Sequence, residues 1–180
     1  MLIGVNPAET VWKSWSEIQR ERIRIERAVL VQRRAQMAER LAAAKIEGNA
    51  AAAALQPLDA MLTKLDAEAA ALQPIEGEPE FQIGHISWKA RGRVQALYAA
   101  NKIEDAGAAM ELLVRHGCRG HRGLKTGAGS DVAFSFESSK GNFPVLDEAT
   151  FEAYAASGVV EALASVILDY NTLGKDREKN

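Results

Sequence analysis

The sequence predicts a mainly α-helical protein with a minor β element: an N-terminal long helical arm or hairpin, then a small helical domain with a short two-stranded sheet. Three observations carry that prediction. Hydrophobic residues make up 47% of the 180 residues, but 32 are alanine, which suits helices that approach one another closely. Only two of the eleven aromatics, Trp12 and Trp15, precede residue 74, so the large side chains of a packed core lie behind it. Residues 74–80, Pro-Ile-Glu-Gly-Glu-Pro-Glu, disfavour helix and strand alike and read as a linker between an arm at 1–73 and a domain at 81–180.

The arm opens at Asn6-Pro7-Ala8-Glu9, where Asn6 can cap, Pro7 suits the first helical position and Glu9 can reach back. No breaker follows until Gly48-Asn49, so one helix of about 60 Å is expected at ~1.5 Å per residue. Val11, Trp15, Ile18, Ile25 and Val29 form an imperfect seam, interrupted by Arg22, Gln32 and Gln36, with the partner contact tightest near its start. A second helix carries a cleaner stripe of Leu55, Leu58, Leu62, Leu65, Ala69 and Leu72. It either folds back as a hairpin or continues as a bent rod kinked at Pro57; the hairpin is favoured because a rod leaves the leucines in water.

Beyond the linker, Phe81-Gln82-Ile83-Gly84 reads as a short strand, and Ser87 can cap a helix through about Ala100. A helix over about 103–116 places Met110, Leu113 and Val114 on its apolar side and stops at Gly117 in a left-handed cap. Five glycines between 117 and 129 read as a loop. The alternation in Val132-Ala133-Phe134-Ser135-Phe136 predicts a strand pairing near Phe81. Asp147 can cap a helix to about Ser157, with a Leu146 to Phe151 staple. Gly158 separates it from a last helix carrying Val160, Leu163, Ile167 and Tyr170 on one face, and a polar ending follows.

A net charge of −2 gives no global field to attract nucleic acid or anionic lipid, so nucleic acid is not an expected partner. No apolar run reaches the roughly 18–20 residues of a membrane span, and Met1 to Val5 is too short for a signal peptide. A soluble, cytoplasmic protein is expected. The single cysteine, Cys118, excludes an internal disulfide.

Little of the reactive chemistry assembles into a catalytic pattern. His116, Cys118 and His121 offer at most three zinc ligands, and His85 is the only other histidine, so no metal or cofactor is expected. In the glycine-rich stretch Lys125 follows Leu124 where a phosphate loop needs glycine. A Cys118 nucleophile with a histidine base lacks a visible orienting group, and no enzymatic activity is expected. Cys118→Ser and His121→Ala are therefore expected to leave function intact. Residues 86–126 carry eight lysines and arginines against three acids, while 127–180 carry four against nine. Complementarity within or between subunits is the simplest account, with Arg119 and Arg122 meeting acids of the last third.

The segment 80–180 resembles the tail assembly chaperones of long-tailed bacteriophages. The resemblance rests on pieces in order: the strand Phe81 to Gly84, then Ser87-Trp88-Lys89, then Val114-Arg115-His116-Gly117-Cys118-Arg119-Gly120. The Phe134 to Phe136 strand follows, then Leu163-Ala164-Ser165-Val166-Ile167-Leu168-Asp169-Tyr170-Asn171-Thr172-Leu173 and the ending Glu178-Lys179-Asn180. His121 stands where an aromatic is common, and Gly127 to Asp131 replace an Asp-Gly turn; the arm has no counterpart. The resemblance implies a non-enzymatic helper that binds the helical tape-measure protein and recruits tail-tube protein. The alternatives are a structural virion component, such as an adaptor or decoration subunit, and a host-directed phage inhibitor. Candidate contact residues are Trp12, Trp15, Leu58, Leu62, Leu65, Arg119 and Arg122, in a chain expected to form a homo-oligomer.

Overall fold

A computed structural model describes residues 9–100, 103–137 and 143–172. The cap at Asn6-Pro7-Ala8 and the charged ending after Thr172 lie outside the described residues. The architecture is mainly helical with a minor antiparallel β element, in the order β1 (Thr10–Ser14), α1 (Trp15–Ala43), α2 (Asn49–Ala71), β2 (Glu80–Gly84), α3 (Trp88–Ala100), α4 (Ile103–Gly117), β3 (Cys118–Arg122), β4 (Phe136–Glu137), β5 (Val145–Leu146), α5 (Glu148–Ala156) and α6 (Val160–Thr172). It divides into two compact units, one of residues 1–18 with 75–180 and one of residues 19–74.

That division moves the expected arm boundary. Thr10-Val11-Trp12, β-branched and aromatic, form strand rather than helix. Helix α1 starts after them in a capping box, where Ser14 N–H donates to Glu17 Oε2 at 2.7 Å and Glu17 N–H to Ser14 Oγ at 3.4 Å. The expected linker completes the cap: Trp15 N–H donates to Pro79 O at 2.7 Å and Ser16 N–H to Glu78 Oε2 at 2.9 Å. Residues 78–80 are thus built into the first unit, with Glu80 already in β2.

The three-stranded sheet has the order β1-β2-β3, all antiparallel, with Trp12 opposite Gln82 and Phe81 opposite His121. The expected loop at 117–122 is therefore mostly strand. Its register breaks where Ile83 faces Cys118 and Gln82 faces Gly120, leaving Arg119 as the extra residue of a bulge. The Phe134 segment does not pair near Phe81; Phe136–Glu137 pair with Val145–Leu146 instead. Helices α4 and α6 pack below the larger sheet, where Phe81, Ile83, Leu113, Val114, Leu163 and Ile167 are fully buried. Helix α4 ends at Gly117 without a positive φ, so its glycine is not a left-handed cap. A β-carbon there would lie 2.3 Å from Ile167 Cγ2, and close helix packing is what demands glycine. The expected caps at Ser87 and Asp147 are present: Ala90 N–H donates to Ser87 Oγ at 3.2 Å and Thr150 N–H to Asp147 Oδ1 at 2.8 Å.

The second unit is the fold-back hairpin. Helix α1 ends in a Schellman motif, with Ile46 N–H to Leu41 O at 2.9 Å, Lys45 N–H to Ala42 O at 3.0 Å, and Lys45 left-handed at φ 56°. It therefore stops short of the expected Gly48-Asn49. Pro57 sits inside the continuous α2. The buried seam is Ile23, Leu30 and Leu65, with Leu58, Leu62 and Leu72 packed against it. The expected seam through Val29 is not the one used: Ile18 joins the core of the first unit, and Val29 is 44% exposed. Arg22 with Glu68, Arg27 with Asp66 and Arg34 with Asp59 link the two helices, holding the Asp59 carboxyl below its ordinary pKa through the Arg34 hydrogen bond.

Candidate functional site

The sequence-predicted contact residues separate into three places. Leu58, Leu62 and Leu65 face α1 inside the hairpin, so the leucine stripe is spent on the arm's own fold-back. Trp15 packs at the edge of the first unit's core, its ring 6.1 Å from Phe81. Trp12, Arg119 and Arg122 come together on the outer face of the three-stranded sheet.

Glycines shape that outer face. Above Gly120 lie Trp12 and Gln82, which a β-carbon would meet at 3.4 and 3.1 Å. The Arg119 side chain crosses Gly84, whose added β-carbon would meet its Cγ and Nε at 3.0 Å. The Arg122 guanidinium stacks 4.0 Å from the Trp12 ring centre and 3.8 Å from Glu80. Gln82 donates to Thr10 Oγ1 at 2.8 Å. Arg119 does not meet an acid of the last third: it donates to His85 O and Pro144 O, both at 2.6 Å, and burial lowers its pKa. The cation that meets such an acid is Arg115, paired with Glu137 and donating through Nε to Leu146 O at 3.0 Å.

Beneath the sheet lies a polar cluster that the loop reading missed. His121 Nε2 is 2.8 Å from Val132 O, a pure acceptor, so Nε2 carries the proton and Nδ1 accepts from Tyr154 Oη at 2.8 Å. Cys118 Sγ donates its one proton to Gly120 O at 3.5 Å and lies 3.5 Å from Tyr154 Oη. Burial pushes the Cys118 thiol and the Tyr154 phenol above their ordinary values. A raised thiol resting on Tyr154 and Gly120 is not activated by a histidine. His121 also packs against Phe81, Phe134 and Tyr154, so its aromatic place is a core place and His121→Ala would remove those ring contacts. His116 is half-buried with Nδ1 unpartnered, and burial beside Arg119 and Arg115 lowers its pKa. Among the described residues, no group of three or more His, Cys, Asp or Glu converges on a point.

A groove of about 640 Å³ runs past Trp15, Pro79, Leu124 and Val159, with Lys125 and Thr126 in its lining. It offers one ammonium group amid apolar side chains and backbone, and Ser157, also in the lining, donates its hydroxyl to Ala153 O at 2.8 Å. No single described helix is long and apolar enough to cross a membrane; α5 and α6 bend by 114° at their junction.

Sequence reasoning passed over a second feature. Trp88 is 79% exposed at the start of α3, the most exposed of the large hydrophobic residues among those described. Comparison with protein families, with curated proteins and with solved structures finds no match to this chain.

Proposed function

We propose that this chain is a non-enzymatic assembly chaperone of a long bacteriophage tail, holding the tape-measure protein and recruiting tail-tube protein in the host cytoplasm. The observation that carries the reading is the ordered series of family-like segments from Phe81 to Asn171. Those segments bear on one another in the fold. Asn171 accepts from Ile86 N–H at 3.0 Å, next to the Ser87-Trp88 segment, and Gly117 of the Val-Arg-x-Gly segment lies against Ile167 of the last helix. The polar side chains with enzyme-like chemistry, Cys118 and His121, are engaged in structural hydrogen bonds, which favours binding over catalysis.

Co-expression with the tape-measure and tail-tube proteins of the same phage tests the proposal. A soluble complex with the tape-measure protein, and absence of the chain from purified virions, is the expected result. Presence in virions at fixed copy number would favour the structural-component alternative. Failure to retain either protein, with a host protein captured instead, would overturn the tail-assembly reading.

A further inference from the structure

Among the described residues, one ion pair, Arg115 with Glu137, joins the basic segment 86–126 to the acidic segment 127–180. Helix α3 carries Lys89, Arg91 and Arg93 and no acidic residue. None of the three has an ion-pair partner among the described residues, whereas Arg115 and Arg122 do. The α3 surface away from buried Ala90 and Val94 holds Trp88, Lys89, Gly92, Arg93 and Ala96, all exposed. These residues occupy one continuous sector of the helix. Helix α5 presents the converse: away from buried Thr150 and Tyr154 it shows Glu148, Ala149, Glu152, Ala155 and Ala156, again all exposed. Glu148 and Glu152 also have no ion-pair partner among the described residues.

We infer that these two faces are the complementary halves of an interface between copies of this chain, with α3 of one protomer docking on α5 of the next. The two cations are four residues apart, as are the two acids, so each pair spans about 6 Å of helix and can meet in one register. The small residues Gly92 and Ala96 on one side and Ala149, Ala155 and Ala156 on the other let the helices approach. Trp88 then covers itself on the alanine surface, in the manner of an aromatic anchor. Because the faces differ, each protomer supplies both halves of the contact. A second copy is favoured over a foreign polyanion because this chain itself supplies the opposite charge at the matching spacing. The inference does not rest on the tail-assembly reading.

Light scattering of the full chain tests it at about 0.1 M and about 1 M salt, between which the screening length falls from about 10 Å to about 3 Å. A mass above one protomer is expected at low salt, reduced at high salt. Lys89→Glu with Arg93→Glu, and separately Glu148→Lys with Glu152→Lys, should each leave monomers with unchanged melting temperature. Mixing the two variants, or combining all four substitutions in one chain, should restore the mass. Trp88→Ala should weaken association at least about tenfold. Monomeric wild type, an oligomer indifferent to both reversals, or reversals that neither mixing nor the quadruple variant rescues would each overturn the inference. A monomer retained on heparin through Lys89 and Arg93 would do so in favour of a foreign polyanion.

Discussion

Gly117→Ala probes the close approach of α4 to α6. The new β-carbon would sit 2.3 Å from Ile167 Cγ2 and 3.2 Å from its Cγ1 and Cδ1. Ile167 is fully buried, and its β-branch holds χ1 in one well of the helix, so the methyl cannot swing away. Relief requires α4 and α6 to separate, an overpacking cost of about 1–3 kcal/mol. Replacing a helical glycine by alanine contributes up to about 1 kcal/mol in the other direction. The expected net loss is about 1–2 kcal/mol, or several degrees at about 2–4 °C per kcal/mol. Gly107 calibrates the assay: it lies in the same helix with open space around its α-carbon, so Gly107→Ala should stabilise by about 0.5–1 kcal/mol. Ile167→Leu removes the β-branch, and a double-mutant cycle by thermal and urea unfolding should show the Gly117→Ala cost falling by half or more. Additive costs, or a Gly117→Ala no worse than Gly107→Ala, would refute packing against Ile167 as the reason for this glycine.

Asn171→Leu should destabilise by about 1–3 kcal/mol, because Ile86 N–H then has no acceptor in a buried site; chemical denaturation reads it. His121→Phe keeps the ring stacking but strands the Tyr154 hydroxyl, at a similar cost of about 1–3 kcal/mol, and adding Tyr154→Phe should recover part of that loss. Leu65→Asp should open the hairpin and lower far-UV helicity without shifting tryptophan emission, since Trp12, Trp15 and Trp88 all belong to the other unit. His116 is held below its unfolded value by burial and neighbouring arginines, so the unfolded chain binds its proton more readily and stability should fall as pH drops below about 6.5. Replacing it with Leu should flatten that slope in pH-dependent melts.

Helices and their caps were the legible part of this fold, because their signals are local. Ser87, Asp147 and Gly158 each act within four residues of where they stand, and the leucine period of α2 declares its buried face without reference to a partner. The hairpin followed from the cost of wetting that face. Strands were harder. Thr10-Val11-Trp12-Lys13-Ser14 has β propensity, but its partner is Glu80 to Gly84, some 70 residues away, and a proline-led start just before it looks equally good as a helix. The Ser14 to Glu17 capping box was present in the sequence and placed the true start. The first unit takes up Glu78 and Pro79 for the same long-range reason: the orphan N–H groups of α1 need acceptors, and composition alone cannot say which chain segment supplies them.

The candidate site was less legible because the residue types that suggest function are also those that fit awkwardly into a core. Five glycines in 117–129 suggested a loop, yet two of them are contact positions: Gly117 makes room for Ile167, and Gly120 for Trp12 and Gln82. Arg119 suggested an exposed cation, yet a β-bulge turns it onto two carbonyl oxygens. Cys118 and His121 suggested chemistry, yet both of their bonds to Tyr154 close a buried network. In each case the deciding fact is what lies opposite, which a single sequence does not carry. What remains after these groups are accounted for is the surface that folding leaves unsatisfied. Among the described residues Lys89, Arg93, Glu148 and Glu152 have no ion-pair partner, Lys89 lying 5.8 Å over the Trp88 ring, and that ring is apolar surface left in water unless another copy covers it.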